Sequence, residues 1–243
     1  MTLATENPPK KATMHPLLKS VSVIIPAYND ESTVGKLIGD CAALLNDICP
    51  DYEIVVTNDG SKDNTLQVLE EYANKDSHIR IINHEINKGF GFTIKELYYA
   101  AQKDVVLSLP GDYQYSPKEL LKMAEGLNKH DFIIGLRVHR NDPWRRKFQS
   151  AVYNLMLRLT YGHKHKDVNS IKLFRRKILN DIQLQSTTAF VDAEFCIRAE
   201  KAGCKVIEIP IDHLPRLSQG ASGGKISVIA QTFGDLLNMK STF

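Results

Sequence analysis

The chain has 243 residues, enough for one large α/β domain, and its 43% hydrophobic and 24% charged residues are typical of a soluble globular protein. The formal net charge of +3 is too small to indicate a nucleic-acid partner. Apolar runs stay shorter than the roughly eighteen residues that a membrane-spanning helix needs, and the first twenty residues lack the apolar segment of a signal peptide. We therefore expect a flexible leader over residues 1–20, a single domain over residues 21–243, and a cytoplasmic protein.

The four cysteines are scattered along the chain without a C-x-x-C pair. This spacing is not that of a zinc site or a disulfide framework. It predicts small buried thiols in a reducing compartment at Cys41, Cys49, Cys196 and Cys204.

The first half of the chain alternates short β-branched runs with segments whose apolar residues recur at helical spacing. Strands are predicted at 21–25, 53–57, 79–82 and 104–109, and helices through 34–45, 66–72 and 92–101. This alternation is typical of a parallel sheet flanked by helices, in which ligands bind beyond the carboxyl ends of the strands. Polar clusters lie at or near those ends, at residues 28–30, 58–61, 87–89 and 111–114.

The second half departs from strict alternation. Helices are predicted at 117–127, 148–161, 176–182, 193–202 and 226–237, and strands at 132–136, 170–174 and 204–209, with a glycine-rich loop at 219–224. Helix 148–161 carries Val152, Leu155, Met156 and Leu159 on one face, and a basic stretch at 137–147 precedes it. Such a pair fits either an anionic membrane surface or a core-packing helix beside a solvated basic face. His163 and His165, in the polar loop that follows, are expected to be solvated.

Asp112 and Gln114 are the residues whose chemistry is easiest to interpret. When a sugar leaves a nucleoside diphosphate, negative charge accumulates on the diphosphate, and a divalent metal ion with nearby cations must neutralise it. Mg²⁺ and Mn²⁺ prefer oxygen ligands. Two oxygen-bearing side chains two residues apart at a strand end meet that need, so Asp112 and Gln114 are predicted metal ligands.

Several segments together resemble family-two glycosyltransferases of the GT-A fold, a Rossmann-like α/β fold with a mixed, mainly parallel sheet. The segments are Ser22–Asp30 (SVIIPAYND), Glu53–Ser61 (EIVVTNDGS), Asn87–Gly89 and Gly111–Gln114 (GDYQ). Later segments are similar to the branch that contains dolichyl-phosphate mannose synthase and other polyprenyl-phosphate glycosyltransferases. They are Gly135–Arg137, Asp167–Arg176 (DVNSIKLFRR), Asp192–Glu194 and His213–Arg216 (HLPR).

The resemblance implies a role for each matching position. The nucleotide pocket would be lined by Pro26, Tyr28, Asp30, Asn58 and Asp59, with Asp59 bonded to the base and Lys88 close to the nucleotide. Asp112 and Gln114 would bind Mg²⁺ or Mn²⁺. Donor or acceptor phosphates would face Arg137, Arg216 and Lys225, because guanidinium and ammonium groups bind phosphate oxygens. Asp192 and Glu194 would lie near the acceptor, either as a general base for a hydroxyl acceptor or to orient basic residues for a phosphate acceptor.

The implied reaction is transfer of a hexose from a UDP- or GDP-sugar, with inversion, to a polyprenyl phosphate, with possible peripheral contact at the cytoplasmic membrane face. Two alternatives stay open, a soluble saccharide acceptor and a catalytically weak nucleotide-sugar-binding protein. The second arises because the usual Asp-x-Asp motif reads Pro110-Gly111-Asp112, without its first carboxylate. A sugar nucleotidyltransferase is disfavoured, since the loop after the first strand lacks the glycines and arginine of that class.

Overall fold

A computed structural model describes residues 14–138, 144–215 and 226–239. The strands in these ranges are β1 Ser20–Ala27, β2 Asp51–Asp59, β3 Ile79–His84, β4 Val105–Ser108, β5 Phe132–Val138, β6 Lys172–Arg175 and β7 Val206–Asp212. The helices are α1 Val34–Ile48, α2 Thr65–Ala73, α3 Phe90–Ala100, α4 Glu119–Ala124, α5 Trp144–Tyr161, α6 Ile178–Asp181, α7 Val191–Lys201 and α8 Ile226–Asn238. A short 3-10 helix, Glu125–Asn128, continues α4.

The strands form one seven-stranded sheet in the order β3-β2-β1-β4-β6-β5-β7. β1 pairs in parallel with β2 and β4, β2 pairs in parallel with β3, and β5 pairs in parallel with β7. β6 is antiparallel to both of its neighbours, β4 and β5. The predicted mixed, mainly parallel α/β sheet is therefore confirmed, and the carboxyl ends of β1, β2 and β4 lie at one edge.

Helices cover both faces of the sheet because successive side chains of a buried strand point to opposite sides. Val23 and Ile25 of β1 pack with α1, α2 and α4, whereas Ile24 belongs to the opposite core with α3, α5, α7 and α8. The cysteines are free thiols, and Cys41, Cys49 and Cys196 are buried as predicted, while Cys204 is partly exposed.

The folded part begins earlier than the predicted leader boundary at residue 20. Leu18 is fully buried in the core, and the His15 N–H donates to the Ile48 carbonyl at 2.9 Å. The first strand also continues through Pro26 to Ala27, although the sequence analysis ended it before the proline. Pro26 lies beyond the last β1–β4 residue pair, Ile24 with Ser108, so its missing N–H interrupts no ladder on that side.

Helix α5 buries only part of the face that its sequence outlined. Among its described side chains, Tyr153 and Leu157 are buried and Met156 packs against the core, while Leu155 and Leu159 are exposed, Leu159 at 76%. Of the helices in the described ranges, none is long and apolar enough to cross a bilayer.

Candidate active site

The loop that carries Asp112 is bonded to the end of β1. The Gly111 N–H donates to the Pro26 carbonyl at 3.2 Å, and the Thr33 hydroxyl donates to the Gly111 carbonyl at 2.8 Å. A Cβ atom at position 111 would lie 2.8 Å from Asp30 Oδ2, so a larger residue there would displace the Asp30 side chain. The close packing brings two of the predicted site carboxylates, Asp30 and Asp112, to the same edge of the sheet.

Asp112 is held within its own loop and close to the end of β7. Its Oδ1 accepts from the Gln114 N–H at 3.2 Å, and the residue is 6% exposed. The Gln114 carbonyl accepts from the Leu214 N–H at 2.8 Å, and the His213 ring packs edge-on against Tyr115. The segment that leads toward Arg216 therefore lies beside the predicted metal loop.

The donor chemistry of this loop fits a divalent metal ion that binds together with a diphosphate. The part of the chain that the structure describes contains no group of three or more His, Cys, Asp or Glu side chains that could hold a metal ion without other ligands. Asp112 and Gln114 supply hard oxygen donors, and Mg²⁺ commonly completes its shell with water and substrate phosphate oxygens.

The loops after β1 and β2 interlock at the predicted nucleotide pocket. Asn29 has a left-handed backbone (φ 55°); its N–H donates to Ser61 Oγ, and its side-chain oxygen accepts from the Lys62 N–H at 2.8 Å. Asp30 Oδ2 accepts from the Tyr28 N–H at 3.1 Å, which fixes the turn that carries Tyr28. Asn58 is buried, and its amide donates to the Asn83 side chain at 2.7 Å.

Asp59 organises the segment that follows β3. Its Oδ1 accepts from the Lys88 N–H at 2.8 Å, its Oδ2 accepts from the Gly89 N–H at 2.9 Å, and its carbonyl accepts from the Asn87 amide. Gly60 (φ +63°) lies so close to this segment that a Cβ atom there would be 2.4 Å from the Asn87 nitrogen. The predicted base-binding carboxylate thus also holds Lys88, whose ammonium lies 4.7 Å from the centre of the Phe92 ring.

Arg137, at the end of β5, is oriented by Asp167. Asp167 Oδ2 accepts from the Arg137 Nε–H at 2.8 Å and Oδ1 accepts from its Nη2–H, so the contact is bidentate. Asp167 is in turn fixed by Glu208 of β7, whose Oε1 accepts the N–H groups of Lys166 and Asp167 at 2.6 and 2.9 Å. Asp167 belongs to one of the family-like segments, whereas no sequence motif indicated Glu208.

Asp192 and Glu194, both predicted near the acceptor, are enclosed in the core at the start of α7. Asp192 Oδ1 accepts from the Tyr98 hydroxyl at 2.7 Å and pairs with the buried Lys172 ammonium at 2.9 Å. Burial and the Asp192 charge raise the pKa of Tyr98, which keeps its phenol neutral and able to donate.

Glu194 is 0% exposed, and its oxygens accept from the N–H groups of Gln185 and Ser186 and from Arg198 Nε. These contacts hold the loop before α7 and orient Arg198. The predicted role of Glu194 near the acceptor stays a prediction.

His163 and His165 correct another expectation. Predicted as solvated, both instead contact Glu200 of α7, His163 through Nδ1 at 3.0 Å and His165 through Nε2 at 2.9 Å. The His163 side chain is only 1% exposed. The sequence around His163 and His165 is polar and gave no sign of these contacts, because Glu200 and Glu208 come from elements that are distant in the chain. The predicted phosphate ligands Arg216 and Lys225, and the glycine-rich loop, lie outside the described residues.

Comparison with known proteins places this arrangement in a family. The family model described as "Glycosyl transferase family 2" matches residues 22–183. The chain is 29% identical over 203 residues to an undecaprenyl-phosphate 4-deoxy-4-formamido-L-arabinose transferase of Proteus mirabilis (strain HI4320). That match covers 82% of this chain and 61% of the relative, so the chain spans less than two thirds of the relative's length.

Solved structures with the same fold include glucosyl-3-phosphoglycerate synthase from Mycobacterium tuberculosis. Its complex with phosphoglyceric acid matches with a TM-score of 0.71 at 17% identity, over 92% of this chain and 80% of that one. Its complex with Mn²⁺, UDP and glucosyl-3-phosphoglycerate matches with a TM-score of 0.68 at 16% identity over the same shares. At these identities the likeness concerns the fold, and it confirms the predicted GT-A architecture.

Proposed function

This chain belongs to glycosyl transferase family 2, and on that premise we propose that it transfers a hexose from a UDP- or GDP-sugar to a polyprenyl phosphate with inversion. The observation that carries the proposal is the convergence of Asp112, Asp30 and Asp59 at one edge of the sheet. The loop of Asp112 is bonded to β1, and Asp59 holds the Lys88 segment. An oxygen-rich edge beside a lysine suits a nucleoside diphosphate with its metal ion.

In the proposed reaction an oxygen of the acceptor phosphate attacks the anomeric carbon of the sugar. The bond from that carbon to the β-phosphate oxygen breaks, and its electron pair leaves on the nucleoside diphosphate. Attack on the face opposite the leaving group inverts the anomeric configuration. An acceptor phosphate is already ionised and needs no general base, which agrees with the enclosure of Asp192 and Glu194.

The residues of the chain hold and orient the two substrates. Asp112 and Gln114 would hold Mg²⁺ or Mn²⁺, which supplies charge neutralisation to the departing diphosphate. Asp59 keeps Lys88 beside the nucleotide, and Asp167 keeps the Arg137 guanidinium in one plane for the acceptor phosphate. We assign Asp192 to positioning the buried Lys172, with which it pairs at 2.9 Å.

The choice of acceptor rests on two supports. The Proteus mirabilis relative is named for undecaprenyl phosphate, and helix α5 exposes Leu155 and Leu159 next to Arg158, as a helix resting on a membrane surface would. The Mycobacterium tuberculosis structures contain phosphoglyceric acid, a soluble acceptor, and they keep the alternative of a soluble acceptor in the test.

The donor site is tested by thermal unfolding of the purified protein with UDP, GDP, CDP or ADP, each with Mn²⁺ and with a chelator. We expect stabilisation by UDP or GDP that depends on the metal. Failure of all four nucleotides to raise the unfolding temperature would contradict the proposal.

The acceptor is tested by incubating the protein with the matching radiolabelled nucleotide-hexose and either undecaprenyl phosphate in detergent or 3-phosphoglycerate. Label in the lipid fraction is expected. Label in the soluble acceptor alone would favour the soluble alternative, and nucleotide binding without transfer to either would favour the catalytically weak protein predicted from Pro110.

A further inference from the structure

A buried histidine, His84, lies between two carboxylates. One is Asp59, which is predicted to bind the nucleotide, and the other is Glu96, which has no role in the motifs or in the proposed reaction. Its Nδ1 lies 2.8 Å from Asp59 Oδ1, and its Nε2 lies 2.9 Å from Glu96 Oε2 of α3. The His84 side chain is 2% exposed, that of Asp59 5% and that of Glu96 31%. The ring therefore sits between a carboxylate in the site and one that reaches the surface.

The hydrogen-bonding capacity of these groups restricts what the ring can do. An ionised Asp59 carboxylate only accepts hydrogen bonds, so in its contact with this carboxylate Nδ1 is the donor. The Phe92 ring packs edge-on against the His84 ring, with 5.8 Å between the ring centres, and this contact fixes the plane of the imidazole. With Glu96 on the far side, Nδ1 is aimed at Asp59 and not into the core.

The orientation of the Asp59 carboxylate also determines its hydrogen bonds with the backbone of Lys88 and Gly89. Oδ1 accepts from His84 and from the Lys88 N–H, while Oδ2 accepts from the Gly89 N–H. If the His84 donor is lost, the carboxylate can turn about its last torsion and release one or both backbone groups. The position of Lys88 then depends on a residue that itself does not touch the nucleotide.

We propose that His84 is a positioning residue of the donor site: through Asp59 it fixes the Asn87–Gly89 segment, and Glu96 holds its ring in the orientation that this requires. The inference rests on the proposed nucleotide site. It adds a residue pair, His84 and Glu96, to the groups that determine nucleotide affinity.

Two substitutions at this position separate the donor role from simple packing. In His84→Asn the amide Nδ2 takes nearly the place of Nδ1 and can donate to Asp59, although the contact with Glu96 is lost. His84→Leu fills a similar volume without a donor. The matched control is His78→Leu, because His78 lies just before the opposite end of β3 and contacts Asp76, far from the predicted site.

The measurements are the UDP and GDP dissociation constants with Mn²⁺, and hydrogen exchange of the Lys88 and Gly89 amides without nucleotide. We expect His84→Leu to weaken binding about 10- to 100-fold, the range for losing a hydrogen bond to a buried charge. Exchange of the two amides should speed up by about tenfold or more in that variant. His84→Asn and His78→Leu should stay close to the wild type in both measurements.

Each result decides the inference. Unchanged affinity and exchange in His84→Leu would overturn it, as would a His84→Asn variant as impaired as His84→Leu, since packing alone would then explain the loss. If His84→Leu does not fold, protection of both amides in His84→Asn supports the inference and rapid exchange there overturns it. If the wild type binds neither UDP nor GDP, the proposed function is overturned and this inference with it. If the wild type binds nucleotide and His84→Leu has the same affinity and the same amide exchange, this inference alone is overturned.

Discussion

At the scale of single residues, two aspartates of one sheet edge illustrate what a motif predicts and what it leaves out. The segments Glu53–Ser61 and Gly111–Gln114 indicated Asp59 and Asp112 as site residues, and both lie at that edge. The contact of Asp59 with His84, and that of His84 with Glu96, were not predictable, because these residues come from β2, β3 and α3 and meet only in the folded protein. Glu194 was predicted from the same kind of motif, yet it is enclosed in the core.

Asp112→Asn is expected to remove the metal-dependent part of nucleotide binding. The amide keeps the size of the side chain but loses the charge that attracts a hard cation. The UDP or GDP dissociation constant measured by calorimetry with Mn²⁺ should rise about tenfold or more, toward the value with a chelator. Asp104→Asn is the control, since Asp104 is exposed at the other end of β4. Equal metal dependence in Asp112→Asn and the wild type would exclude Asp112 as the principal ligand.

At the scale of elements, the alternation of strands and helices was predictable and the ends of the elements were less so. Hydrophobic periodicity gives the buried middle of a strand, whereas β2 and β3 extend to Asp59 and His84 because tertiary hydrogen bonds support their polar ends. The loop after α5 was misjudged for the same reason. His163 and His165 are polar in sequence but paired with glutamates of α7 and β7 in space.

This cluster predicts a pH window for stability. Hydrogen bonds to Glu200 and Glu208 raise the pKa of His165 from 6.5 to about 9. Burial alone would raise the pKa of Glu200, but hydrogen bonds from His163 and His165 lower it from 4.5 to about 2. The His165 contribution is complete below pH 6.5 and is lost as the pH rises through 9. The Glu200 contribution is complete above pH 4.5 and is lost as the pH falls toward 2, so both are present in full between pH 4.5 and 6.5.

The measurement is the free energy of unfolding in urea at pH 6 and pH 9.5 for the wild type and His165→Asn. The wild type should lose on the order of 1–2 kcal/mol more than the variant over this interval, since partial exposure weakens the interaction. His78→Asn serves as the control, because His78 and Asp76 form an exposed pair outside the cluster. Identical pH dependence of the wild type and His165→Asn would refute the assigned pairing.

At the scale of the whole molecule, the proposed lipid acceptor requires a surface of the protein that can contact a membrane. The sequence left two interpretations of helix α5 open, contact with a membrane surface and packing on the core, and the structure exposes Leu155 and Leu159. Helical periodicity alone could not assign these leucines, since the same spacing describes a face that packs on a core and a face that rests on a membrane.

Leu155→Ser combined with Leu159→Ser is expected to weaken binding to vesicles. Two exposed leucines that insert at an interface contribute through their buried apolar area, so the partition coefficient should fall about tenfold or more. Co-sedimentation with phosphatidylglycerol vesicles measures the partition coefficient. Comparison with uncharged phosphatidylcholine vesicles gives the contribution of the lipid charge to binding. Ile86→Ser, at an equally exposed position after β3, is the control. Wild-type protein that stays in the supernatant with both vesicle types would contradict membrane contact through α5.

The antiparallel strand β6 has a consequence for how such a protein diversifies. Strands β1 to β4 come from residues 20–108 and make one half of the sheet, while β5 to β7 come from residues 132–212 and make the other. Within the sheet, three residue pairs between β4 and β6 join the halves: Val105 with Arg175, Val106 with Phe174 and Leu107 with Leu173. Beside the sheet, the Tyr98 hydroxyl of the first half donates to Asp192 Oδ1 of the second. Each half of the sheet is thus a nearly continuous stretch of chain. Under the proposed function, a gene that exchanged only the second stretch would replace Arg137, assigned to the acceptor, and keep Asp30 and Asp59, assigned to the donor, provided that the strand pairs and the Tyr98–Asp192 contact were preserved.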